Sequence, residues 1–354
     1  MNYVKKYLNR VFIDGLGGMA LGLFATLIVG TIIQQVGLFV KGEIGDMIYL
    51  LGKAAASVTG AGIGIGVACK FKESPLVAVS AAVAGMVGAF AGNIMKGTVL
   101  VDGAIVLSGP GEPLGAFLAA YVAIELGHLI SGKTKIDILV TPLATVLAGS
   151  AVGLLAGPPI SGFMSSLGAI INWGTQQQPF LMGIVVSVVM GMVLTLPISS
   201  AALGVILNLS GLAAGAATVG CCCNMVGFAV ASYRENKMGG LLAQGLGTSM
   251  LQVPNIVRHP QIWIPAILSS AILGPVGTMV LGMTNNATGS GMGTAGLVGP
   301  IMTYQTMVET EAAQMVLGKI LLIQFLLPAA VTLIISELMR RKKWIKQGDM
   351  KLEM

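Results

Sequence analysis

Apolar stretches long enough to cross a bilayer recur along this chain, separated by short polar breaks that carry most of its lysine and arginine. A spanning helix needs about 20 mostly apolar residues. On that pattern, helices are predicted over residues 15–40, 53–69, 75–95, 114–131, 138–156, 180–196, 198–219, 220–231, 263–283 and 315–338. The stretch 220–231 is short enough to be a re-entrant limb. Residues 160–173, which follow Gly157-Pro158-Pro159, read as an interfacial or re-entrant piece, and residues 175–178 as a turn. Residues 102–113 form a polar interruption whose SGPGEP end is too rich in Pro and Gly for a helix. Residues 238–253, running into the PNIVRHP string at 254–260, read as a cytoplasmic hairpin or an amphipathic helix.

One stretch departs from this alternation. Residues 283–300, MTNNATGSGMGTAGLVGP, are uncharged and crowded with Gly, Asn, Ser and Thr. Glycine is conformationally loose, and Asn, Ser and Thr compete for the backbone, so this is not a membrane helix by propensity. At membrane depth, non-helical backbone persists only where protein or a water-filled cavity satisfies its amides. The stretch is therefore expected to line the site of a neutral polar solute, with Asn285, Asn286, Thr288, Ser290 and Thr294 as its hydrogen-bonding groups. An ordinary outer loop would have a similar composition.

Composition fits a membrane class. The 354 residues are 55% hydrophobic and only 10% charged, with 50 glycines, against about 25% charged in soluble domains. Abundant small residues let membrane helices approach closely. The net charge of +6 does not imply a nucleic-acid partner, because the basic residues sit at the ends of apolar segments rather than along one face. Placing both termini inside gathers Lys5, Lys6, Arg10, Lys70, Lys72, Lys133, Lys135, Arg234, Lys237, Arg258, Arg340 to Lys343, Lys346 and Lys351 on the cytoplasmic side, leaving Lys41, Lys53 and Lys96 opposite. The fold class expected is an all-α membrane protein of about ten transmembrane helices with re-entrant or broken segments and both termini cytoplasmic. Five spans per half would give two halves of opposite orientation, the arrangement of inverted repeats. Residues 1–354 read as a single polytopic domain, with 339–354 its basic cytoplasmic tail.

Ionisable residues within predicted spans are functional candidates, since a charge inside a bilayer costs at least ~2.5 kcal/mol. Glu125 and His128, three apart, share one face of a helix and could interact or flank one ligand; both also lie close enough to its cytoplasmic end to be interfacial. The proline-terminated run 195–200 offers Ser199 and Ser200 beside freed carbonyls, and Asn224 lies within an apolar stretch. Lys319 is expected to snorkel or to pair with Glu309 or Glu311. Cys69, Cys221, Cys222 and Cys223 show no ligand spacing and read as packing residues, with the last three near a helix end, so no metal and no cofactor is expected. No nucleotide-binding loop and no HExxH motif occurs, which argues against an enzyme.

Four strings carry a family likeness: KTKIDILVTPLATV (133–146), QPFLMGIVVSVVMGMVLTLPISSAA (178–202), GTSMLQVPNIVRHPQIWIPAILSSAILGPVGTMVLGM (247–283) and GSGMGTAGLVGPI (289–301). They resemble a bacterial family of stand-alone, phosphotransferase-system EIIC-like membrane proteins, which also includes regulators of toxin expression. The resemblance implies a sugar-permease type of subunit in the cell membrane, served by separate soluble IIA and IIB proteins that handle the phosphoryl group. The chain contains no IIB-like or IIA-like domain. A homodimer is the expected assembly. Two functions stand: a carrier of a neutral, sugar-like solute, and a membrane sensor that binds a solute and signals at its cytoplasmic face.

Overall fold

In a bilayer each backbone amide must be satisfied within its own segment, so the apolar runs fold as helices. The computed structural model describes residues 2–40, 42–107 and 109–352; Lys41, placed opposite the basic face above, lies outside the described residues. Helix dominates, and the one sheet among the described residues is the two-stranded hairpin Leu100–Val101 with Ala104–Ile105. Its turn is Asp102-Gly103, both at positive φ (51° and 79°), the dipeptide a tight hairpin turn favours. The sequence reading had only a polar interruption there.

Among the described residues six helices are long and apolar enough to cross a membrane, or seven if the bent pair Glu43–Ser57 and Thr59–Lys70 counts as one span. Pro75–Ala89 and Pro179–Thr195 are apolar but shorter. The all-α membrane class stands. The chain forms two compact units, Met1–Met164 and Ser165–Met354.

In the first unit, Lys6–Phe39 is one long helix with π-helical turns at Arg10–Gly15 and Phe24–Ile28. Its Gly18 and Gly22 face Gly66 and Gly62 of Thr59–Lys70; a Cβ at Gly22 would stand 2.2 Å from the Gly62 carbonyl oxygen. This is the small-xxx-small contact that membrane helices use in place of a hydrophobic drive. The helix predicted to begin at residue 53 begins at Glu43 instead, with Glu43 and Asp46 in its first turn, where carboxylates complement the helix dipole. It bends by 53° before Thr59.

Asp137–Thr175 is a single helix through Pro142, Pro158 and Pro159, so the break expected at Gly157-Pro158-Pro159 does not occur. Each proline forfeits one amide bond yet holds φ near the helical value. Ile160 and Met164, just beyond, are buried.

The second unit is organised around Gly211–Ala231, which is buried on nearly every face, as expected of a helix apolar all round. It packs against Pro179–Thr195, Ile264–Pro275 and Leu327–Arg341. The division expected at residues 219/220 falls instead at 207–210, where Asn208 takes φ 47° and Gly211 φ 57°. Cys221, Cys222 and Cys223 are consequently mid-helix and buried rather than at a helix end; Cys223 lies in a core cluster with Leu273 and Met283. Residues 233–263 form a string of short helices whose Gln244, Ser249 and Gln252 are wholly buried, unlike the solvated face of an amphipathic helix. Val298–Met307 is helical, and the last span, Ala313–Arg341, ends at a tail that turns back onto its own unit.

Candidate functional site

Two breaks in the helical order of the second unit meet. The backbone N–H of Asn285 donates to the Gly211 carbonyl at 3.2 Å, and the two residues pair as an isolated antiparallel bridge. One side of this crossing is the end of Ser200–Ile206 and the start of Gly211–Ala231. The other is the extended run before Ala287–Ser290. Non-helical backbone of this kind needs side chains to satisfy it, and several of the residues expected to bind solute supply them.

Asn285, 1% exposed, is the node. Its Nδ2 lies 2.8 Å from Thr218 Oγ1, 3.0 Å from Thr303 Oγ1 and 3.3 Å from the Gly299 carbonyl, and its Oδ1 accepts from Asn286 N–H at 2.8 Å. Gln324 Nε2 donates to the same Thr303 hydroxyl at 2.8 Å. Asn286 caps the short helix by accepting from Gly289 N–H at 2.9 Å. Ser200 donates to the Gly291 carbonyl at 2.6 Å and Ser290 to the Ala287 carbonyl at 2.8 Å, while Ser199 caps its own helix by accepting from Ala202 N–H. Thr294 donates to the Gly245 carbonyl.

A second buried node lies further along Gly211–Ala231. Asn224 Oδ1 accepts from Trp263 Nε1 at 2.9 Å and from Thr195 Oγ1 at 3.2 Å, and its Nδ2 donates to Ser270 Oγ and the Gly220 carbonyl. Thr195 and Ser249 hydroxyls stand 2.8 Å apart. Six residues along one helix separate Thr218 from Asn224, roughly 9 Å of rise. In both nodes the amides are occupied within the protein. The accessible polar side chains at the crossing are different ones: Thr288, Asn208 and Ser210 are exposed, and Thr284 and Asn286 half-buried.

Glu125 and His128 belong to the first unit, and each binds a partner there. Arg10 Nε donates to Glu125 at 2.7 Å, and His128 Nδ1 lies 3.1 Å from the Glu73 carboxylate. The Arg10 guanidinium also reaches Glu73 at 3.5 Å and stacks over the Phe71 ring at 4.1 Å. The four side chains thus form one chain, with the Glu73 side chain only 6% exposed at its centre. Sequence reasoning missed Arg10 and Glu73. A usable signal was present: Arg10 is the first unit's lone arginine, adjoining a long apolar run. Lys319 pairs with Glu311 at 2.7 Å, as the sequence suggested.

No group of three or more metal-ligating side chains occurs among the described residues. What the crossing can do chemically is exchange hydrogen bonds with hydroxyls and amides. Residues 179–233 and 260–308, which supply most of it, contain no charged side chain. Compared with known families, the chain matches the one described as "Phosphotransferase system, EIIC" over residues 13–352. No curated protein matches it.

Proposed function

Because this chain belongs to the phosphotransferase-system EIIC family, and is therefore a multi-pass, permease-type protein of the cell membrane, we propose that it carries a neutral polar solute of sugar-like chemistry, recognised at the crossing of broken segments in the 165–354 unit. The observation that carries this reading is the charge-free polar crossing. A sugar offers hydroxyls that donate and accept, and Asn and Thr side chains answer both roles without a net charge to desolvate. Asn286 and Thr288 are the assigned solute contacts. Asn285, Ser290, Thr294, Ser199, Ser200 and Asn224 hold the frame in which those contacts sit. Glu125 and His128 stand outside this assignment, since both are already engaged by Arg10 and Glu73.

Phosphoryl transfer in this reading is done by separate soluble IIA and IIB proteins. The topology proposed has about ten membrane-embedded segments, counting short and broken ones, with both termini inside. It is supported by the second unit, where basic loop and basic tail share a face: Arg234 pairs with Glu337 and Arg340 with Glu235.

Vesicles bearing this chain, with and without cognate IIA and IIB proteins, test the reading by uptake or exchange of labelled sugars and polyols. Flux of one neutral class, competed by its congeners and lost in Asn286→Ala, is expected. Saturable binding with no flux under either condition would overturn the carrier in favour of a solute sensor.

A further inference from the structure

The last residues of the chain turn back and enter a slot in their own unit. Asn236 Nδ2 and Gln252 Nε2 both donate to the Met350 carbonyl, at 2.8 and 3.0 Å. Asn255 Nδ2 donates to the Lys351 carbonyl at 3.0 Å, and the Leu352 N–H donates to Asn236 Oδ1 at 2.8 Å. These contacts read main chain, as a peptide-binding groove does. The Met350 side chain, wholly buried, is packed with Ile345 among Phe228, Ile256, Ile262 and Met339. Glu235 holds the Gly348 N–H and the Arg340 guanidinium, a pair whose side chains are 2% and 9% exposed.

The slot is wired inward. Gln252 Nε2 also donates to Gln244 Oε1 at 2.8 Å, and Gln244 Nε2 donates to Ser232 Oγ. Gln244 begins the stretch that includes Gly245, the acceptor of Thr294, and Ser249, the neighbour of Thr195 and so of Asn224. The segment 244–252 thus holds Thr294 of the glycine-rich stretch and reaches the Asn224 node through Ser249 and Thr195, while its Gln252 is bonded to the tail. A tail that only covered apolar surface would not need three amide side chains on successive main-chain groups.

We propose that residues 344–352 are an intramolecular peptide ligand whose docking latches the 244–252 segment against the crossing, and whose release exposes that segment and the polar nodes behind it to the cytoplasm. The gating role rests on the crossing being the solute site; the docking itself does not.

Ser249→Cys in a Cys69→Ser background reports the latch without any solute, because Ser249 is wholly buried and Cys221 to Cys223 are too. Full-length protein is expected to resist a membrane-impermeant thiol reagent added from the cytoplasmic side. A chain ending at Lys343 should label at least tenfold faster, and a synthetic peptide of residues 344–354 should bind it and restore protection. The same peptide with Met350→Asp should do neither. If the truncated chain does not fold, Met350→Asp and Asn255→Ala in the full chain replace it, with the parent peptide in excess as rescue. Unchanged labelling in released variants, or faster labelling that the peptide does not reverse, overturns the latch. A working latch in a protein that neither binds nor moves any neutral solute would leave the latch standing and sink the solute reading alone.

Discussion

Replacing Asn285 by alanine separates a frame residue from a solute contact. The parent amide, on a residue 1% exposed, lies within hydrogen-bond reach of Thr218, Thr303 and Gly299 and accepts from the Asn286 N–H. Truncation strands several of these groups without water. Each buried group left unpaired costs about 1–3 kcal/mol. The threonine hydroxyls can recover part of it by rotating, since Thr218 already donates to the Ala214 carbonyl. A loss of roughly 2–4 kcal/mol is expected. For a domain of about 150–250 residues this lowers the unfolding midpoint by roughly 4–16 °C. Asn286→Ala should behave otherwise, because it removes a single cap from a one-turn helix, about 1 kcal/mol. In thermal unfolding of detergent-purified protein, Asn285→Ala should fall well below Asn286→Ala. In solute-binding titrations the order of direct loss should reverse once measured at a temperature where both variants are folded. An Asn285→Ala protein that melts with the parent would refute the frame assignment.

Gly220→Ala would place its Cβ 1.8 Å from the Ser187 carbonyl oxygen; because that neighbour is backbone, Pro179–Thr195 must move, and size-exclusion should show little or no folded protein. Arg340→Met leaves the buried Glu235 carboxylate without its cation, with an expected loss of about 3–5 kcal/mol in unfolding experiments. Arg10→Met should destabilise the first unit more than Glu125→Gln, because it removes the guanidinium that Glu73 and Glu125 share, and unfolding curves of the two variants side by side decide it. Accessibility labelling should find the C-terminus and Arg234→Cys on the same, cytoplasmic side; opposite sides would contradict the ion pairs that join those segments.

How much of this was legible beforehand divides along a physical line. That the chain is an all-α membrane protein follows from its apolar runs, because helix formation in a bilayer is settled segment by segment by backbone amides that have no other partner. The last span and that of residues 113–130 were readable in this way. So was the irregular backbone at 283–297, because Gly, Asn, Ser and Thr act locally. The helix through Pro158 and Pro159 was not, since proline's local cost was offset by packing that composition does not express. Nor was the division at 207–210, where both sides are equally apolar and Gly211 pairs with Asn285 from a distant stretch. Candidate polar residues could be named, but not what they touch. Asn285 meets Thr218 across 67 positions and Arg10 meets Glu125 across 115; such pairings depend on how far and at what rotation glycine-rich helices close on one another. A tail that reads as basic and cytoplasmic is docked by side-chain amides scattered over residues 236–255. Local chemistry determined the class of protein and its irregular segments, and tertiary packing decided which polar groups became frame, which stayed open to a solute, and where the chain's end came to rest.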